Sequence, residues 1–242
     1  MNNYDNEDVL ERIRSALRSS TNREERKKLE EAERLITLSR SYEQMDDFHV
    51  GDLVKWKPGM RNTRNPQYSQ VAIVSAVYDC PQLNTDKSAG SSFFREPATI
   101  KIAIIDNDDD EFIEYSVDGH RFMKVDEDDC VPRKVADLRT RLQTLLTVER
   151  PFHVGDRVYW KPNLKHKKRP QREPAIVVEI LPQPILDECE SGSQYWHEPL
   201  NIRIGMRDSD GEFISYLFDS RRFHVIDDDD ESYGDANANG LD

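Results

Sequence analysis

Few side chains in this sequence have types and spacing suited to chemistry. Asp106, Asp108 and Asp110 stand at the one-three-five spacing of a calcium loop, in which alternate oxygen ligands converge on a hard cation. Such a loop needs glycine at its sixth position and a bidentate glutamate at its twelfth; here these are Glu111 and Val117. The acidic run therefore reads as a solvated hairpin turn. His49 and His153 recur at matching places, His120 and His224 do not, and no serine or cysteine nucleophile motif accompanies them. No G-x-S-x-G, H-E-x-x-H, phosphate-binding loop or G-x-G-x-x-G occurs. Cys80, Cys130 and Cys189 are odd in number and lack C-x-x-C spacing, which suits a reducing compartment without structural disulfides. The expectation is a protein that is not an enzyme and uses no metal or cofactor.

What remains is the chemistry of recognition. Lys165, Lys167, Lys168 and Arg169, with Arg172, make a basic loop, and Lys55, Lys57, Arg61 and Arg64 make a less charged counterpart earlier in the chain. Phe93-Phe94 and Tyr195-Trp196 fall in irregular segments, where aromatics have less structural reason to occur. The candidate partner-binding set is Lys55, Lys57, Arg61, Phe94, Lys165, Lys167, Lys168, Arg169, Tyr195 and Trp196. A formal net charge of -13 opposes general nucleic-acid binding, which needs cations to displace phosphate counterions. No aromatics interleave the lysines as in single-strand binders. A protein is the expected partner. The alternatives are a nucleic-acid module, or an acidic mimic of nucleic acid that blocks a DNA-binding partner through its acidic stretches at 106–111, 126–129 and 227–231.

These residues are positioned by a duplication. FHVGDLVKWK at 48–57 returns as FHVGDRVYWK at 152–161, with Leu53 replaced by Arg157 and Lys55 by Tyr159. The match continues through Glu96-Pro97 and Glu198-Pro199, Asp106-x-Asp108 and Asp208-x-Asp210, Phe112-Ile113-x-Tyr115 and Phe213-Ile214-x-Tyr216, and Arg121-Phe122 and Arg222-Phe223. Such a period predicts two copies of one small module. Within each copy apolar residues alternate: Val54 and Trp56 share one face of a strand, and Ile100, Ile102 and Ile104 share a face of another. A long insertion is expected from Pro81 to Glu96 and from Pro184 to Glu198. Gly211 supplies the positive φ that a tight hairpin requires.

Elsewhere the period is helical. Val9, Ile13 and Leu17, then Leu29, Ala32 and Ile36, predict a helical hairpin, with Thr21 and Glu24 as a capping box. Val135, Leu138, Leu142 and Leu145 predict a connecting helix that starts near Pro132 and packs on a β-module. The expected organisation is a helical hairpin at 1–46, a first module at 47–127, the connecting helix at 128–149, a second module at 150–227 and an acidic disordered tail at 228–242. A hydrophobic fraction of 36% and a mean hydropathy of -0.81 imply a soluble chain with small cores. The absence of a long apolar run and of a leader pattern predicts a cytoplasmic protein with no membrane partner.

Each module, with its h-x-V-G-D-x-V-x-W opening, apolar strand and closing hairpin, resembles the SH3-like small barrels, particularly the Tudor and KOW-type group. The resemblance covers about 48–125 and 152–226. It implies an α+β, mainly β fold of two tandem SH3-like barrels, a group that binds methylated side chains, peptides, RNA or DNA; the function expected of this chain is that of an interaction or adaptor protein. It also implies that an aromatic cage for a methylated ligand would draw on Trp56, Tyr115, Trp160 and Tyr216, whose ring faces attract cations. Trp56 and Trp160 share a face with Val54 and Val158, so core packing is the reading adopted for them.

Overall fold

The structure is a computed structural model, and it describes residues 3–20, 22–91, 93–165, 175–189 and 193–226. Helices α1, Asn3–Ser19, and α2, Arg23–Glu43, pack side by side, with Arg14 Nε bridging to Glu33 at 2.7 Å. The cap of α2 is Asn22, whose side-chain oxygen accepts from the Glu24 N–H at 3.0 Å. Asn22 directly precedes the first helical residue, and its short amide reaches the second N–H of the helix. Thr21, the expected cap, lies outside the described residues.

The first copy contains β1 (Leu53–Trp56), β2 (Ala72–Leu83), β3 (Pro97–Ile105), β4 (Phe112–Val117) and β5 (Phe122–Lys124). They form an antiparallel sheet in the order β4-β3-β2-β1-β5. After α3, Pro132–Leu146, the second copy repeats this with β6 (Arg157–Trp160), β7 (Ala175–Leu186), β8 (Pro199–Arg207), β9 (Phe213–Phe218) and β10 (Phe223–Val225). Its order, β9-β8-β7-β6-β10, is the same. A 3-10 turn precedes each fifth strand, at Gly119–Arg121 and Ser220–Arg222. The fold is α+β and mainly β, as expected, but the expected closure into barrels is not seen. The three-residue fifth strands pair with β1 and β6, and among the described residues no ladder joins them to β4 or β9.

The expected insertions begin later than their prolines suggest. β2 and β7 run on to Leu83 and Leu186, slipping register between Val77 and Gln82 and between Ile180 and Ile185, so that each strand bends and pairs with its neighbour a second time. The loop after β2 is drawn shut where Asn84 N–H donates to Glu96 O and Arg95 N–H returns to Asn84 O.

One face of each sheet forms its own core: Val54, Trp56, Ile100, Ile102, Ile104 and Phe122 in the first, and Val158, Trp160, Ile202, Ile204, Phe218 and Phe223 in the second. The other face of the first sheet is also covered. Val135, Leu138, Leu142 and Leu145, the four stripe residues of α3, lie on Leu53, Ile73, Ala103 and Phe112, and Leu164 closes the cluster. Alternation therefore does not mean exposure in β3, where Lys101 and Ala103 are buried along with the isoleucines.

A further repeat is visible only in three dimensions. Lys57 Nζ donates to Ser41 O at 2.8 Å and to Gln44 O at the C-terminal end of α2. Lys161 Nζ donates to Thr144 O at 2.9 Å and Thr147 O at 2.5 Å at the end of α3. Helix ends leave carbonyls without intrahelical partners and favour cations, and one lysine serves both needs in each copy. The structural unit is thus a helix followed by a sheet, used twice.

Candidate functional site

The residues that recur between copies turn out to hold loops in place. Gly51 and Gly155 adopt φ 96° and 95°, and the Asp52 and Asp156 carboxylates each accept from the N–H three residues back, at His49 and His153, both at 2.7 Å. Burial works against ionisation of Asp52, but Lys124 and the His49 N–H hold its pKa below the usual value. The imidazoles themselves point outward. Arg121 donates to Glu96 at 2.6 Å and to Met60 O at 3.1 Å, and Arg222 repeats the pattern on Glu198 and on Leu164 O at 3.1 Å. Each Glu-Arg pair clamps the loop after the first strand. Trp56 stacks on Phe122 at 4.1 Å and Trp160 meets Phe223 at 4.2 Å, both inside the cores. The acidic hairpin at 106–111 is an Asx turn, with Asp108 N–H donating to Asp106 Oδ1 at 2.8 Å and Asp110 at φ 56° where the second copy has Gly211 at 88°. Among the described residues no group of three or more His, Cys, Asp or Glu is placed to hold a metal.

The two copies meet along the rest of the first sheet's outer face. Glu114, fully buried, accepts from Ser75 Oγ at 2.6 Å and from Arg221 of the second copy at 3.3 Å. Burial would raise its pKa, but Arg221, Lys101 and Arg222 hold it below the ordinary carboxylate value. Ser116 Oγ donates to Trp196 O at 3.3 Å and Lys101 Nζ to His197 O at 3.2 Å. Burial and the nearby Lys101 charge push the His197 pKa down. The Trp196 ring and Phe93 line a cavity of ≈ 290 Å³ together with Asn62, Glu96, Ser116 and Asp118. Glu96 there is held by Asn62 and Arg121, and burial keeps its pKa above the usual value despite Arg121.

This geometry divides the expected partner-binding residues. Lys57, Tyr195 and Trp196 are corrected to structural roles, because each is buried: Lys57 under the end of α2, Tyr195 beside Arg222 at 5.9 Å, and Trp196 in the junction between copies. Phe94, 44% exposed, and Arg61 remain at the surface. Lys55 lines a second cleft of ≈ 350 Å³ with Gln70, Asp110, Asp129, Lys134 and Leu138. Lys165 is half-buried and its N–H donates to Glu111 at 3.0 Å. Lys167, Lys168 and Arg169 lie outside the described residues, as does the acidic tail.

An apolar surface that sequence reasoning missed lies on the outer face of the second sheet. Ile176 and Phe213 are 42% and 62% exposed, whereas their first-copy counterparts Ile73 and Phe112, beneath α3, are 0% and 1%. The signal was present in the sequence: the residues match, but the stretch 227–242 carries no counterpart of the aliphatic stripe at 135, 138, 142 and 145. Compared with protein-family models, curated proteins and solved structures, the chain matches none. No described helix is long and apolar enough to cross a membrane.

Proposed function

We propose that this is a non-enzymatic interaction protein of the adaptor kind, in which duplicated SH3-like modules bind a protein partner in the cytoplasm. The strand order, with the fifth strand returning to the first after a 3-10 turn and a bent second strand, supports the SH3-like reading of each module. The observation that carries the binding role is the bare apolar patch of Ile176 and Phe213, on a face whose duplicate is covered by a helix. The residues that recur between copies serve turns, helix ends and loop clamps, so the duplication has kept a scaffold. Fold alone does not fix the role of such modules, and the patch is what directs this one to a protein.

The test is co-purification of the full chain from its native host with and without nuclease. A protein that stays bound after nuclease, and at raised salt, is the expected result. Loss of every partner on nuclease treatment, with binding to DNA or RNA that falls steeply as salt rises, would replace this reading with the nucleic-acid one.

A further inference from the structure

We infer that the outer face of the second sheet is a receptor for an acidic amphipathic helix from a protein partner, seated as α3 is seated on the first sheet. The inference rests on the interaction role proposed above and gives that role a surface and a ligand class. Its first support is the molecule's own precedent. Cross-strand neighbours share a face, and the outer row Leu53, Ile73 and Ala103 of the first sheet corresponds to Arg157, Ile176 and Gly205 of the second. The first row lies beneath the aliphatic stripe of α3; in the second Arg157 and Ile176 are exposed, and Gly205 is covered by Phe213, itself 62% exposed.

The bare face is already shaped. Gly205 stands where the first copy has Ala103, and a methyl group there would come within 2.5 Å of the Phe213 ring and 2.8 Å of Val178. The missing side chain lets the ring and Val178 lie close over β8, with the ring and Ile176 open to solvent.

The second support is charge. Leu53 becomes Arg157, and Ile105, paired with Phe112, becomes Arg207, paired with Phe213. Arg203 takes the place of Lys101 and reaches Glu179 at 2.9 Å. Two aliphatic positions of the covered face have thus become cationic borders of the bare one. The helix on the first sheet is basic: Arg139 and Arg141 bind Glu127 and Asp110 beside it. On the second sheet the hairpin carbonyl that corresponds to Arg141's acceptor is held from within, by Arg207 Nε on Gly211 O at 2.8 Å. A helix fitted to this face keeps aliphatic residues at α3 spacing and replaces the basic flank of α3 with carboxylates. Residues 227–242 hold no such aliphatic stripe, and the charge of the borders fits a helix of a partner polypeptide.

Two peptides of the α3 sequence, each stapled between Ala136 and Thr140 on its exposed side, provide the probes. One keeps the natural residues and the other carries glutamate in place of Arg133, Lys134, Arg139 and Arg141. Fluorescence anisotropy with the full chain should show saturable binding of the acidic peptide, about tenfold tighter than the basic one. Phe213→Asp and, separately, Ile176→Asp should abolish it with the thermal transition unchanged. Arg157→Leu with Arg207→Ile, which installs the residues of the first copy, should reverse the preference. Absence of saturable binding by a folded chain, or equal binding of both peptides, overturns the inference. Self-association that Phe213→Asp abolishes also overturns it, by making a second copy the occupant. A native partner that survives nuclease and still binds the Phe213→Asp chain overturns this inference alone and leaves the interaction role standing.

Discussion

Tyr42 shows how single residues tie the elements together. Its hydroxyl donates to Asp118 at 2.5 Å, its ring lies 5.4 Å from the Arg121 guanidinium, and both contacts pin the end of α2 to the first sheet. Burial, then the hydrogen bond to the Asp118 carboxylate and its charge, push the phenol pKa up to about 12. A group whose folded pKa is raised contributes stability that is whole below its unfolded value, 10.0 here, and that fades as pH rises through about 12. Spectrophotometric titration should find one phenol ionising near that upper value, and Tyr42→Phe should remove it. A titration in which no phenol lags the others would contradict the geometry. Residue types foretold part of this scale and missed part. The Gly-Asp turns, the tryptophans of the cores and the Asx hairpin were legible, because each depends on neighbours close in sequence. Lys57, Tyr195 and Trp196 were misjudged as surface because their burial comes from the preceding helix, from Arg222 twenty-seven residues on and from the other copy, which local spacing does not encode.

Among the elements, α3 has two roles that its sequence showed only in half. The aliphatic stripe was plain at helical period and all four residues are buried. That the same helix is held at its end by Lys161 of the second copy was not legible, because the lysine's partners are the carbonyls of residues 14 and 17 positions earlier. The long second strands were cut short for a related reason: Pro81 and Pro184 break the alternation, yet they fall within the register slips, where a strand tolerates a residue without an N–H. Because α3 lies on the first sheet, damage at Lys161 should be felt across the junction. Lys161→Met leaves two carbonyls at the helix end without their donor and is expected to cost about 1–3 kcal/mol. Urea unfolding should show a lower midpoint, with Leu142→Ala in the α3 interface costing about 2–5 kcal/mol by opening a cavity. Lys55→Met, at a half-exposed position, should stay within about 0.5 kcal/mol. An unchanged midpoint for Lys161→Met would mean that its hydrogen bonds do not hold α3.

At the scale of the whole molecule, the two copies are joined through the outer face of the first sheet, where Glu114, Ser116 and Lys101 bond to Arg221, Trp196 and His197 of the second. The joint is ionic at its centre. Glu114 is buried among Arg221, Arg222 and Lys101, and its counterpart on the bare second sheet is Ser215, which makes this carboxylate specific to the joined face. Burial favours its protonation, but the three cations win and hold its pKa below the usual value of 4.5. The sign follows: a carboxylate with a lowered folded pKa adds stability above its unfolded value, and that contribution is lost as pH falls through the folded one. Acid should therefore loosen the junction. Trp196 is the reporter, since Trp56 and Trp160 lie within separate cores. As pH is lowered beneath 4.5, the part of the tryptophan emission that Trp196→Phe removes should shift to the red before the sheets' far-UV signal is lost. Glu114→Ala, which strands buried cations, should cost about 3–5 kcal/mol and show the shifted emission at neutral pH. If acid changes the emission and the far-UV signal together in the native chain, Glu114 is not what holds the two copies against each other.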